Sequence, residues 1–366
     1  MTALLSDHEI TERVLAHIAR RTTDVGTQVW REPVENYRSP ARLQAELDRV
    51  LLRVPAVFCP ASALAERGSF VSREIAGRPV VAIRGEDGVV RAFKNVCRHR
   101  GMRVAPESGC ARALVCGYHG WAYGLDGQLR HVPHEEGFPG LDRAQHGLVP
   151  LTAIERQGLV FVAQEPGANP AILEDLPDSL DLSGMPCEVS ASETEANWKL
   201  VLEGFLEGYH IRATHPQSFL PYGFDNLNVV ECSGRHSRVT FPFQRIQKLA
   251  QVPPEQRCLT GFVTSVYQLF PNALITVLSS HTNLIVLEPI DVARTNVVRY
   301  TFTNATAAAE AAKRDTEFVA MGAAEDRAVV CAIQRGLASG ANDSFVFGHF
   351  ESAIVHFHRT LEAALS

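Results

Sequence analysis

The sequence predicts an α+β protein built from two domains. Three observations carry this reading. Short β-branched segments of period two run from Phe70 to Val162, a Pro/Gly-rich break follows at 166–170, and a second series of strands ends in a long helical pattern. A chain of 366 residues leaves room for a separate core in each domain. The expected division is 1–54 as N-terminal helices packing on the second domain, 55–165 as a small β domain, and 166–366 as the larger domain.

Ser6-x-x-Glu9 is a capping box ahead of Ile10, Val14, Leu15 and Ile18, so the chain opens on a helix. Ser39-Pro40 starts another, with proline at the tolerated first position and Leu43, Leu47, Val50 and Leu51 as its apolar stripe. Val80–Ile83, a Gly85–Gly88 turn and Val89–Phe93 form a hairpin, and short strands continue to Leu159–Val162. Pro166-Gly167-Ala168-Asn169-Pro170 marks the domain boundary. Beyond it the pattern predicts a helix over Trp198–Ile211. Strands are predicted at Arg238–Phe243, Gly261–Phe270, Leu274–Leu278, Asn283–Leu287 and Val297–Phe302, then a helix from about Ala307 to Leu337.

The bulk properties exclude several classes. A net charge of −6 argues against a nucleic-acid partner, and the lack of any run of about 18 apolar residues argues against a membrane span. Met1–Arg20 is amphipathic and carries Asp7, Glu9 and Glu12, unlike a signal peptide. Of eight cysteines, Cys59, Cys110, Cys187, Cys232, Cys258 and Cys331 are scattered without framework spacing, which points to reduced thiols and a cytoplasmic location.

The remaining two cysteines carry the chemistry. Cys97-Arg98-His99 and Cys116-Gly117-Tyr118-His119 read C-x-H-x16-C-x2-H. Two thiolates and two imidazoles suit a [2Fe–2S] centre of the Rieske type, with thiolates on one iron and histidines on the other. Structural zinc also accepts Cys₂His₂, but zinc fingers pair like with like, whereas here each loop holds one of each. Gly101, Gly117 and Gly120 are expected to permit the tight backbone that donates N–H groups to cluster sulfurs.

A second constellation is His210-Ile211-Arg212-Ala213-Thr214-His215, two histidines five apart. They share a face only where the helix unwinds, and Pro216 makes that ending reasonable. Two imidazoles and a carboxylate form the facial triad of non-haem Fe(II) oxygenases. On spacing alone, a pair of surface or core histidines is the simpler reading.

The flanking sequence resembles the Rieske non-haem iron oxygenases, terminal (alpha) subunit, a family that includes the aromatic-ring-hydroxylating dioxygenases. The likeness rests on Asn95-Val96-Cys97-Arg98-His99-Arg100-Gly101, Cys116-Gly117-Tyr118-His119-Gly120-Trp121 and the stretch from Asn197-Trp198-Lys199 to Glu207-Gly208-Tyr209-His210. Phe270-Pro271-Asn272 and Gln334-Arg335-Gly336-Leu337 extend it over most of the chain. It implies an all-β Rieske domain and a helix-grip (START-like) catalytic domain with an antiparallel sheet and a long C-terminal helix. The implied cofactors are a [2Fe–2S] cluster on Cys97, His99, Cys116 and His119 and Fe(II) on His210, His215 and a distant carboxylate. Asp326 is the choice for that carboxylate, and Glu325 is the neighbour most easily confused with it.

Glu207 stands where most of the family has Asp. In trimeric relatives that residue links the second cluster histidine of one subunit, here His119, to an iron histidine of the next, here His210. Glu207 keeps the charge and adds a methylene, as in the branch resembling carnitine monooxygenase. Gly204 likewise replaces a frequent Asn. Implied partners are O₂, a small organic substrate, and a flavin/iron–sulfur reductase or ferredoxin that brings electrons from NAD(P)H. The chain itself lacks a G-x-G-x-x-G in strand–helix context. A homotrimer is implied.

Three functions compete. The first is hydroxylation of an aromatic or other hydrophobic molecule. The second is oxidative demethylation of a methyl-ether or quaternary ammonium compound, for which Tyr209, Phe219, Tyr222 and Phe224 are candidate cage residues. The third is an electron carrier or zinc-structured binding protein, disfavoured by the roughly 200 residues after Pro170. His131, His134, His236, His281, His356 and His358 are assigned packing or surface roles.

Overall fold

The computed structural model describes residues 4–165, 168, 170–177, 179–303 and 309–366. The expected boundary at Pro166, Gly167 and Asn169, and the expected helix start at Ala307, lie outside the described residues. The chain folds into two compact units. One comprises Leu51–Pro170 with Leu180–Cys187, and the other Met1–Val50, Ala171–Ser179 and Glu188–Ser366.

The first unit is built on a seven-stranded sheet. Its order is Ala56–Pro60, Leu159–Ala163, Pro150–Arg156, Val90–Lys94, Arg78–Arg84, Ser69–Ile75 and Gly109–Cys110. The predicted hairpin is present: Arg78–Arg84 pairs antiparallel with Val90–Lys94, and Gly88 takes a φ of +79° that closes the turn. A smaller sheet of Leu114–Val115, Ala122–Tyr123 and Leu129–His131 carries the second Cys/His loop. Val81, Ile83, Phe93, Leu114, Trp121 and Tyr123 form a core that also encloses Cys97 and Cys116.

The second unit holds a seven-stranded sheet whose central strands are Val263–Leu269, Ala273–Val277, His281–Asp291 and Arg294–Thr303, paired antiparallel. The helix Trp198–Glu203 packs on the strand His281–Asp291, and the long helix Ala309–Leu337 packs on Trp198–Glu203. The α+β architecture expected from the strand and helix patterns is the one observed. The opening capping box is also formed: Ser6 Oγ accepts from the Glu9 amide at 3.3 Å and Glu9 returns to the Ser6 amide at 2.8 Å.

One element differs from expectation. The predicted helix Trp198–Ile211 is two short helices, Trp198–Glu203 and Ile211–Thr214, with Gly204 capping the first. The helix stops at Gly204, and the Glu207 carboxylate then takes the amides of Tyr209 and His210 that a continuous helix would have used, while buried polar anchors hold the start of the first helix. Asn197 caps its N-terminus through Lys199 N (3.0 Å), and Lys199 is fully buried with its ammonium 2.7 and 2.9 Å from the two oxygens of Glu46. Gln334 of the long helix accepts from Asn197 N at 2.9 Å, so the two helices are pinned at one end. A buried charge is tolerated where it is paired and hydrogen-bonded in this way.

Candidate metal centres

In the first unit the two loops share one construction. Cys97 N donates to Met102 O at 2.7 Å and Gly101 N returns to Cys97 O at 2.9 Å. Cys116 N donates to Trp121 O at 2.9 Å and Gly120 N returns to Cys116 O at 3.0 Å. Each loop therefore turns on a glycine four residues after its cysteine, with φ +81° at Gly101 and +73° at Gly120. These two amides serve the cysteine carbonyls. Gly117 is not in the left-handed region, and a Cβ there would meet only Met102 Cε at 3.5 Å, so its expected conformational role is not needed.

Both thiols are buried and unpaired, whereas His99 is half-buried and His119 exposed. The rings of His99 and His119 lie 4.7 Å apart, and Trp121 stacks on His99 at 5.0 Å and 9°. This polarity, sulfur inside and imidazole outside, fits a cluster with one iron on each kind of ligand. The sequence reading missed two supports. Tyr123 places its hydroxyl 3.3 Å from Cys97 Sγ and accepts from the Arg98 amide at 2.9 Å. Buried Asn95 clamps the first loop, accepting from Val104 N and Ala105 N and donating to Ala105 O and Ser72 Oγ.

In the second unit His210 and His215 sit at the two ends of the single turn Ile211–Thr214. Asp326 reaches them from the long helix. Its Oδ1 lies 2.9 Å from His215 Nε2 and 3.6 Å from His210 Nε2, and one ligand atom from each residue falls within 4.8 Å of the others. His215 Nε2 is buried and faces the Asp326 carboxylate. That donor set fits a two-histidine, one-carboxylate iron.

The opposite edges of both imidazoles are held. His210 Nδ1 donates to Glu207, which also accepts from the amides of Tyr209 and of His210, the latter at 3.1 Å. His215 Nδ1 donates to Glu325 at 2.7 Å, and Ser218 donates to the same oxygen. Ser218 and His215 hold the Glu325 carboxyl below its ordinary range. With Nδ1 carrying the proton, each Nε2 presents its lone pair to a metal. Glu325 and Asp326 thus divide between Nδ1 and Nε2 of His215.

A cavity of about 150 Å³ opens beside this cluster, with His210 and Asp326 in its wall. Six phenylalanines line it: Phe205, Phe219, Phe224, Phe241, Phe243 and Phe318. Of the four expected cage residues, Phe219 and Phe224 face it, while Tyr209 and Tyr222 are about 60% exposed at the surface. A second cavity of about 500 Å³ also includes His210, Glu207 and Asp326 in its lining. The remaining histidines are structural or exposed. His134 is at the surface, His236 accepts from Phe270 N, and buried His358 bonds Glu203 and Tyr37.

Both halves of the chain resemble known proteins. Residues 55–147 match the Rieske [2Fe–2S] domain, and residues 186–366 match the ring hydroxylating alpha subunit (catalytic domain). The chain is 33% identical over 200 residues to the carnitine monooxygenase oxygenase subunit of Escherichia coli (strain K12), covering 52% of this chain and 53% of that protein. The chain therefore spans about half the length of the curated relatives it matches. Its fold superposes on a quaternary ammonium Rieske monooxygenase in complex with an inhibitor (TM-score 0.81, 22% identity, 100% of both chains). It also superposes on naphthalene 1,2-dioxygenase from Rhodococcus sp. bound to indole (TM-score 0.78, 19% identity, 98% of both chains). Proteins of this kind carry a [2Fe–2S] cluster and a mononuclear iron. Among the described residues, no helix is long and apolar enough to cross a membrane. With two family models matched in sequence and the fold shared throughout, the chain belongs to the Rieske non-haem iron oxygenases, as an alpha subunit.

Proposed function

We propose that the chain is the terminal oxygenase of a multicomponent system, placing oxygen from O₂ into a small hydrophobic organic molecule. The observation that carries this reading is the convergence of His210, His215 and Asp326 at the wall of a phenylalanine-lined cavity. When bound, the cluster supplies one-electron storage and the iron supplies O₂ activation. Cys97 and Cys116 would hold one cluster iron and His99 and His119 the other, while His210, His215 and Asp326 would hold the mononuclear iron. Glu207 and Glu325 fix the tautomer and tilt of the two imidazoles, which keeps the ligand set in register without metal-driven rearrangement. The phenylalanines exclude water and orient an apolar substrate against the His210–Asp326 wall.

A second reading, oxidative demethylation of a quaternary ammonium compound, is favoured by Glu207 and by the likeness to the carnitine monooxygenase subunit. Aromatic faces of Phe219 and Phe224 suit a cation of low hydration. Electrons come from a separate reductase or ferredoxin. The unpaired state of all eight cysteines accords with a reducing cytoplasm. We further propose a homotrimer in which Glu207 links His210 to His119 of a neighbouring copy.

Incubation with a reductase, NADH, ¹⁸O₂ and a panel of aromatic and quaternary ammonium compounds tests the function. Label from ¹⁸O₂ in a product, or in formaldehyde released from an N-methyl group, is the expected result. Electron transfer without labelled product from any compound overturns the oxygenase reading.

A further inference from the structure

Arg299 lies on the strand Arg294–Thr303, directly opposite Ile285 of His281–Asp291. Strand alternation puts its side chain on the sheet face that carries Ile285 and Asn283, and all three line the phenylalanine-walled cavity. Arg299 also lines the adjoining larger cavity, where His210 and Asp326 again form part of the wall. Its Nε is buried with no hydrogen-bond partner, and Arg299 forms no ion pair among the described residues. Among the described residues lining the phenylalanine-walled cavity, it is the one Lys or Arg.

The residue is half-buried, and its Nε, shielded from water, has gained no anion in exchange. Burial pulls its pKa down, and the two acids in the cavity wall are engaged elsewhere, Asp326 facing His210 and His215 and Glu207 bonding His210. Asn283 does not serve it: its amide is engaged with Thr276 Oγ1 at 3.3 Å and Thr301 Oγ1 at 2.9 Å. A planar fork left open toward a cavity is complementary to a carboxylate, which accepts two parallel N–H groups. One positive charge balances a monoanion, while a phosphate dianion would leave excess charge among phenylalanines.

We propose that Arg299 is a specificity residue that anchors a carboxylate of the substrate, so that the enzyme acts on organic acids with an apolar or quaternary ammonium body. This rests on the oxygenase reading for the reaction but not for the binding. It places the acid group on the sheet and the reacting carbon toward His210 and Asp326.

Calorimetric titration of the metal-loaded protein with matched probes tests it. The probes are 3-phenylpropanoate and 3-phenylpropanamide, and 4-(trimethylammonio)butanoate and its amide. In at least one pair the acid is expected to bind about tenfold or more tightly than the amide. Arg299→Met should erase that preference while leaving amide affinity within about twofold, and Arg299→Lys should restore part of it. Melting temperature should not fall in Arg299→Met, since no hydrogen bond or ion pair among the described residues is lost and Met keeps an apolar stem of similar length. Acids that bind no better than amides in either pair, or that bind not at all, overturn the proposal. So does a preference that survives in Arg299→Met, which would put the anion on the metal, or a clear fall in melting temperature, which would make Arg299 structural. Acid binding through Arg299 without labelled product would sink the oxygenase reading alone. Labelled product from neutral compounds with no acid preference would sink this inference alone.

Discussion

Asp326 faces Nε2 of His215 across 2.9 Å, while the other nitrogen of the same imidazole is held by Glu325 at 2.7 Å. Adjacent carboxylates on one helix therefore act on opposite edges of one ring. The arrangement separates a candidate ligand from the group that orients it, and it ranks their substitutions.

Asp326→Ala should abolish mononuclear iron binding and leave the visible spectrum of the cluster intact, because the cysteine-bearing loops belong to a different folded unit. Glu325→Gln should keep the iron with affinity weakened by about 10–100-fold, the usual effect of losing a carboxylate that orients a metal-binding histidine. Iron content by plasma emission after dialysis against a graded chelator checks both. The reverse ranking would exchange the two roles.

Tyr123→Phe should lower the midpoint potential of the cluster. The hydroxyl 3.3 Å from Cys97 Sγ can donate to the sulfur, and a donor there favours the reduced, more negative form. His119→Cys should lower it further, since a thiolate adds a full negative charge. Redox titration followed by visible absorption reads both shifts. An unchanged midpoint in His119→Cys would remove His119 from the ligand set.

Glu207→Gln should retain both metals and a reducible cluster yet slow cluster reoxidation by substrate and O₂. The amide keeps the size but weakens the grip on His210 Nδ1. Stopped-flow absorption in a single turnover measures this, and light scattering measures the proposed trimer. Parental reoxidation rates, or full activity in a monomer, would exclude Glu207 as the link between copies.

Gly322→Ala should shrink the cavity more than it changes stability. A Cβ at Gly322 would lie 2.0 Å from Phe219 Cζ, and Phe219 is packed between His215 (4.4 Å) and Phe318 (4.9 Å). Helix propensity gains about 1 kcal/mol from the change, against an overpacking cost of about 1–3 kcal/mol. The ring must then turn into the cavity it lines. Bulky substrates should lose affinity while the melting temperature moves little, and unaltered binding of the largest substrate would contradict the clash.

Much of this was legible in the sequence because its signals are local. Capping boxes, the Gly85–Gly88 turn and period-two strands depend on neighbours within a few residues, so the α+β architecture could be read from the chain. The motifs Cys97-x-His99 and Cys116-x-x-His119 identify their chemistry by residue type and spacing alone. The helix expected through Ile211 was not legible as two, because periodicity does not show that Glu207 takes the amides of Tyr209 and His210, and the anchor of the first half on Glu46 lies 153 residues earlier. Distance in sequence likewise hid the partition between Glu325 and Asp326, the hydroxyl of Tyr123 at Cys97, and the surface placement of Tyr209 and Tyr222. The isolation of Arg299 is of the same kind. The sequence by itself determined which side chains could bind metal, since that is a property of the donor atoms. Only the tertiary structure decided which nitrogen meets which oxygen and which charge is left without a partner, since directionality and burial exist only once distant segments are packed together.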